Sequence, residues 1–185
     1  MTKLMIAVPV LMTISVFAQT SKQSKPKRDN RTSLDETIAF LKENIVRYGG
    51  YTIRTSFDSN DVSEVTVKFT AVKFADCNLE LDSTRQNITD RRDAGTFVSE
   101  VKVQLQDLDP VISIPKNSDH FTVTAVALGE KNVIVSHTRG NLIGDRTEQR
   151  SSTEIPFDDQ DRAGGVARAL SHVIDLCKAK PKHRW

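Results

Sequence analysis

VTVKFTAVKFADCNLEL, residues 65–81, decides how this chain folds. Val65, Val67 and Phe69 alternate with polar neighbours, the period-two pattern of a half-buried strand. Val72 and Phe74 alternate as well, in the opposite phase. One extra residue around Thr70-Ala71 swaps the faces, so a bulge or bend is expected there. Cys77, Leu79 and Leu81 then carry a third alternating run.

Outward from this stretch the same period recurs. Strands are expected at Tyr51–Phe57, Thr96–Leu105, Val111–Ile114, Phe121–Leu128, Val133–His137 and Ser152–Ile155. Gly129-Glu130-Lys131-Asn132 reads as a hairpin turn. Leu108-Asp109-Pro110 breaks a strand pair, because proline cannot donate to a ladder. Two polar stretches, Ser83–Gly95 and Thr138–Arg150, read as long loops.

A helix bounds the strands on each side. Ser33-Leu34-Asp35-Glu36 is a capping box, with Leu34, Ile38, Leu41, Ile45 and Tyr48 at helical spacing and Gly49-Gly50 as the stop. At the far end Asp158 or Asp159 caps a second helix. Its stripe is Ala163, Val166, Ala167, Leu170, Val173, Ile174 and Cys177, and Pro181 ends it. Gly164 and Gly165 fall off that stripe and suggest a frayed or late start.

The order helix, seven to eight mostly antiparallel strands, helix defines an α+β class. A strongly bent sheet closed by the last helix resembles the pleckstrin-homology-like architecture, with a helix-grip or cystatin-like cup as the alternative. The domain is expected over 33–178.

The first eighteen residues read as a cleavable signal peptide. Lys3 gives a positive start, Leu4 to Phe17 an apolar run, and Val16-Phe17-Ala18 places small residues three and one before a cut between Ala18 and Gln19. The run is too short to span about 30 Å of hydrocarbon. Residues 19–32 form a basic linker expected to be disordered, with Lys22, Lys25, Lys27, Arg28 and Arg31 against Asp29. The basic tail, 179–185, carries Lys180, Lys182 and Arg184. The whole chain is nevertheless near-neutral, at +2, so the body between these ends is acidic. The expected partner is another envelope protein, or an anionic surface met through the basic ends. Nucleic acid is disfavoured, since basic residues are not interleaved with aromatics.

Export gives meaning to the two cysteines. In an oxidising compartment Cys77 and Cys177 can pair as a disulfide; otherwise they are two buried thiols.

Four segments together carry a resemblance: the helix Thr37–Asn44; Val72-Lys73-Phe74-Ala75-Asp76-Cys77; Asp107-Leu108-Asp109-Pro110; and the closing run from Phe157-Asp158 to Cys177. Over residues 33–177 the chain is similar to small exported bacterial α+β proteins that carry no assigned activity. That resemblance implies a bacterial, extracytoplasmic setting and brings no functional residues with it.

No residue is assigned a catalytic, cofactor or metal role. Asp159, Asp161 and Gly164 match the start of a calcium loop, but Ala163 and Leu170 stand where oxygen ligands are required. His120 and His137, near strand ends with Asp119 and Asp145 available, could meet in space. His172 lies on a helix face and His183 in the tail. Gly140 to Gly144 lacks the Gly-Lys-Ser/Thr of a phosphate loop. The binding hint is Arg85, Arg91 and Arg92 in one long loop and Arg139, Arg146 and Arg150 in the other. If those loops share one end of the sheet, they could receive a phosphate or carboxylate; otherwise they are solvated loops facing nearby acids. Asn30 and Asn87 match the glycosylation pattern of a eukaryotic secretory route. The expected function is a non-enzymatic binding or interaction domain, with a small-molecule or lipid carrier holding a cavity between sheet and helix as the alternative.

Overall fold

The computed structural model describes residues 33–56, 62–89, 92–117, 119–141 and 144–179. The signal-like segment, the basic linker, Phe57, Arg91 and the tail beyond 179 lie outside them.

The first helix, α1, spans Leu34–Tyr48 and begins as its sequence requires. The Ser33 hydroxyl accepts from the Glu36 amide, and the Glu36 carboxylate accepts from the Ser33 amide. Thr37, Leu41 and Ile45 are its buried face. Complete burial of Leu41 or Ile45 stabilises the fold by about 1.5–3 kcal/mol each. At the exit, Gly50 has φ +131°, and a Cβ there would stand 2.2 Å from the Val67 carbonyl oxygen. Only glycine permits that turn from helix into strand.

Among the described residues nine strands follow: β1 Gly50–Ser56, β2 Val62–Ala75, β3 Asn78–Thr89, β4 Arg92–Gln104, β5 Lys116–Asn117, β6 His120–Val126, β7 Ile134–Gly140, β8 Gly144–Arg150 and β9 Ser152–Phe157. Every pairing is antiparallel. They form a six-stranded sheet, β1-β2-β3-β4-β7-β8, and a three-stranded sheet, β5-β6-β9. The final helix, α2, spans Gln160–Lys178, with the Asp159 carboxylate accepting from the Arg162 amide. The α+β order is the expected one, and the large sheet is not closed into a barrel: β1 and β8 are its two edges.

The phase slip in β2 is real. Phe69 pairs with Ser83 and Ala71 with Asp82, leaving Thr70 as the extra residue. Asp76 and Cys77, at φ +47° and +63°, are the two-residue turn between β2 and β3. Two left-handed residues match the twist of a hairpin. Cys77 therefore precedes its strand rather than opening it. It is disulfide-bonded to Cys177 in the last turn of α2, with Cα atoms 5.7 Å apart.

Several expectations are corrected. The stretch 83–95 is not a loop, since β3 continues to Thr89 and β4 starts at Arg92. The stretch 138–150 is likewise the end of β7 and all of β8. Both runs are polar because they form the solvent-reaching halves of a long antiparallel sheet. Val111–Ile114 is not a strand; Val111 is exposed and only Ser113 bridges, to Thr124. Prolines at 110 and 115 deny that segment ladder donors. Gly129–Asn132 is not a hairpin turn, because β6 and β7 belong to different sheets. A short 3₁₀ turn, Leu128–Glu130, makes the crossover, with Gly129 at φ +65°. The second helix starts early rather than late, so Gly164 and Gly165 sit inside it, half-buried. A Cβ on Gly165 would lie 3.4 Å from the Phe40 ring of α1.

The helices pack on each other, α1 also on β2, and α2 on β6, β9 and the 3₁₀ turn Leu105–Asp107. Val123, Ile155 and Phe157 of the small sheet join Val166, Leu170 and Ile174 of α2 in the core. Alternation sends the other face of β6 and β9 away from that core.

Candidate functional site: the cleft between the sheets

That other face and the large sheet enclose a cleft of about 420 Å³. No residue of either helix lines it. A second cavity, of about 400 Å³, lies between the end of α1, strands β1 and β2 and the start of α2.

Strand register builds the wall contributed by the large sheet. Val72, Leu81, Val101 and Ser136 stand in one cross-strand row. The next row toward the far ends of β2 and β3 is Phe69, Ser83, Ser99 and Thr138, and the next is Val67, Arg85 and Phe97. The face therefore grades from apolar, with Leu81 and Ile134 buried, to hydroxyl-bearing and then charged. Ser99 and Thr138 share a hydrogen bond of 3.1 Å between their hydroxyls.

The opposite wall is His120 and Thr122 of β6 with Glu154 and Pro156 of β9. Tyr51, from β1, stacks flat on His120, with centroids 4.5 Å apart and planes 5° from parallel. His120 Nδ1 and Thr124 Oγ1 are buried without a hydrogen-bond partner. Polar groups shielded from water in this way cost free energy until something pairs with them.

Register places Arg85, Arg139 and Arg146 toward the same end of the large sheet, with Arg139 on the face away from the cleft, and leaves Arg150 at the opposite end of β8. Arg85 on β3 and Arg150 on β8 both line the cleft. Arg139 bonds Asp145 at 3.0 Å, and Arg146 faces Glu148 at 3.8 Å. Arg150 also bonds Glu148, at 3.0 Å. That hydrogen bond is the main cause holding the Glu148 carboxyl below the usual carboxylate range, with the Arg150 charge next. Arg92 opens β4, and Arg91 lies outside the described residues.

The histidines stay apart. His137 Nδ1 bonds Thr147 Oγ1 at 2.8 Å. Its neighbour Ser136 faces the cleft, so His137 projects from the other side of β7. His120 and His137 do not converge. His172 borders a shallow groove with Thr37 and Phe40, and His183 lies outside the described residues.

One cluster was not anticipated from sequence. On the outer face of the large sheet, Glu80, Asp82 and Glu100 bring carboxylate oxygens within 4.8 Å of one another. Lys73 bridges Glu80 and Asp82, and Lys102 bridges Glu80 and Glu100. Two ammonium groups thus already offset two of the trio's three negative charges. Hydrogen bonding to Glu80, then Asp82, holds Lys73 above its ordinary range, and the Lys73 bond is the first cause depressing Glu80.

The cleft lining was equally hidden, apart from Arg85, Arg150 and His120. The signal for it was the unbroken alternation Leu79, Leu81, Ser83, Arg85, which puts hydroxyl and guanidinium on the same face as the core.

Fold and site together define an α+β domain with an amphipathic cleft between two antiparallel sheets. No family model, no curated protein and no solved structure matches the chain.

Proposed function

We propose that this is an exported, non-enzymatic binding domain that holds a small molecule in the cleft between its sheets. The observation that carries the reading is the cleft itself: about 420 Å³, lined by Phe69, Leu81, Val101 and Ile134 together with a larger set of hydroxyl-bearing and charged side chains. Small-molecule sites have that size, and polar groups in them fix orientation. His120 stacks on Tyr51 and lines the cleft, with its Nδ1 left for a ligand to pair with. Export is supported by the signal-like Met1–Ala18 and is compatible with the Cys77–Cys177 disulfide. Among the described residues no helix is long and apolar enough to cross a membrane.

The test is to express the full chain in an exporting bacterial host and record native mass spectra of the exported protein. We expect an N-terminus at Gln19 and a retained small-molecule mass. Ser99→Phe, which fills the cleft from the large-sheet wall, should lose that mass while unfolding as cooperatively as the parent. Retention of the same mass by a folded Ser99→Phe protein, or no retained mass in the parent, overturns the reading. Retention of the chain in the cytoplasm overturns the export half of it.

A further inference from the structure

Arg85 differs from Arg139, Arg146 and Arg150 in what faces it. Arg139, Arg146 and Arg150 each have a carboxylate within 4 Å. The Arg85 Nε instead donates to the neutral amide oxygen of Asn87, at 3.2 Å. It is nonetheless a wall residue of the cleft, two residues along β3 from Ser83 and level with Val67 and Phe97. A guanidinium with no carboxylate partner among the described residues, beside Phe69, Leu81, Val101 and Ile134, favours one kind of ligand. Its planar donors fit a carboxylate in two-point contact, while those side chains take an apolar body.

We infer that the cleft selects a small amphipathic carboxylate, with Arg85 receiving its charged end and Phe69, Leu81, Val101 and Ile134 its apolar end. This rests on the cleft being a ligand site, and it assigns the ligand's class. The charges that face such a ligand are Arg85 and Arg150 on one wall and Glu154 on the other. Arg150 is already matched by Glu148. Glu154 is exposed and repels an anion, so its removal tests the sign of the ligand's charge.

The full exported chain is titrated calorimetrically with decanoate and decanol, and with naphthoate and naphthol. At least one carboxylate should bind more tightly than its alcohol. Arg85→Gln should weaken that carboxylate by about tenfold or more and leave the alcohol unchanged. Arg85→Lys should recover part of the loss, and Glu154→Gln should leave affinity equal or improved. The variants' unfolding midpoints, matched to the parent, separate lost binding from lost fold. Equal affinity for acid and alcohol, or a folded Arg85→Gln protein that binds the acid as well as the parent, overturns the carboxylate assignment. So does a folded Glu154→Gln protein that binds more weakly. Each of these leaves the retained-mass experiment on Ser99→Phe to decide whether the cleft is a ligand site at all.

Discussion

The side-chain amide of Gln106 donates to the backbone carbonyl of Cys177 at 2.8 Å. This buried bond joins the 3₁₀ turn after β4 to the last turn of α2, beside the disulfide that ties the same turn to the β2–β3 hairpin. A helix leaves its final carbonyls without intrahelical donors, so a buried C-terminus needs partners from elsewhere. Gln106→Met keeps the side chain's bulk and removes its donor. The expected loss is about 1–3 kcal/mol, read as a lower urea midpoint at unchanged slope. An unchanged midpoint would mean that the bond contributes nothing net.

The disulfide next to it closes a separation of 100 residues. Replacing both Cys77 and Cys177 by serine should cost about 2–5 kcal/mol and steepen the denaturant dependence, because the freed unfolded chain exposes more surface. Position 77 adds a second expectation, since its φ of +63° is uncomfortable for any side chain. With Cys177→Ser held constant, Cys77→Gly should be more stable than Cys77→Ser by about 1 kcal/mol. Equal stabilities would show that the turn relaxes once the bridge is gone.

Gly164 and Gly165 sit within α2, where glycine costs about 1 kcal/mol relative to alanine. A Cβ at Gly165 would meet the Phe40 ring at 3.4 Å, an ordinary contact, and one at Gly164 would meet only the mobile end of Arg168. Each alanine variant should therefore raise thermal stability by up to about 1 kcal/mol. Gly165→Leu should lower it by pushing α1 from α2. Destabilisation by Gly165→Ala would show that the helix pair needs a closer approach than these distances imply.

What the sequence disclosed follows from the range of each signal. The Ser33 cap, the α2 stripe and the slip at Thr70 are local patterns and appear where the residues place them. The polar halves of β3, β4 and β8 are strands only because neighbours pair with them. Tertiary pairing outweighs intrinsic preference in such runs. The cleft is less legible still, because Arg85, Ser99 and Ser136 share a face only after two registers are set. Tyr51 and His120, from different sheets, carry no sequence signal of their contact at all.

Register also creates the outer charge cluster, and its titration gives a last expectation. Glu80 is depressed below its ordinary 4.5 chiefly by the Lys73 hydrogen bond, while Lys73 and Lys102 are raised above their ordinary 10.5 by Glu80 and Glu100 respectively. A carboxyl whose folded pKa is depressed contributes stability above its unfolded pKa, and loses it as pH falls through the folded value. A lysine whose folded pKa is raised contributes below its unfolded pKa, and loses it as pH rises through the folded value. The cluster should thus stabilise the sheet between the two limits and weaken toward acid below 4.5 and toward base above 10.5. Urea midpoints followed downward from about pH 5 should fall less steeply for Glu80→Gln than for the parent. The difference between them should shrink at high salt, because the charges are partly exposed and screening weakens them. Parallel pH curves for the two proteins would show that Lys73 and Lys102 gain no more from Glu80 in the folded sheet than in the unfolded chain.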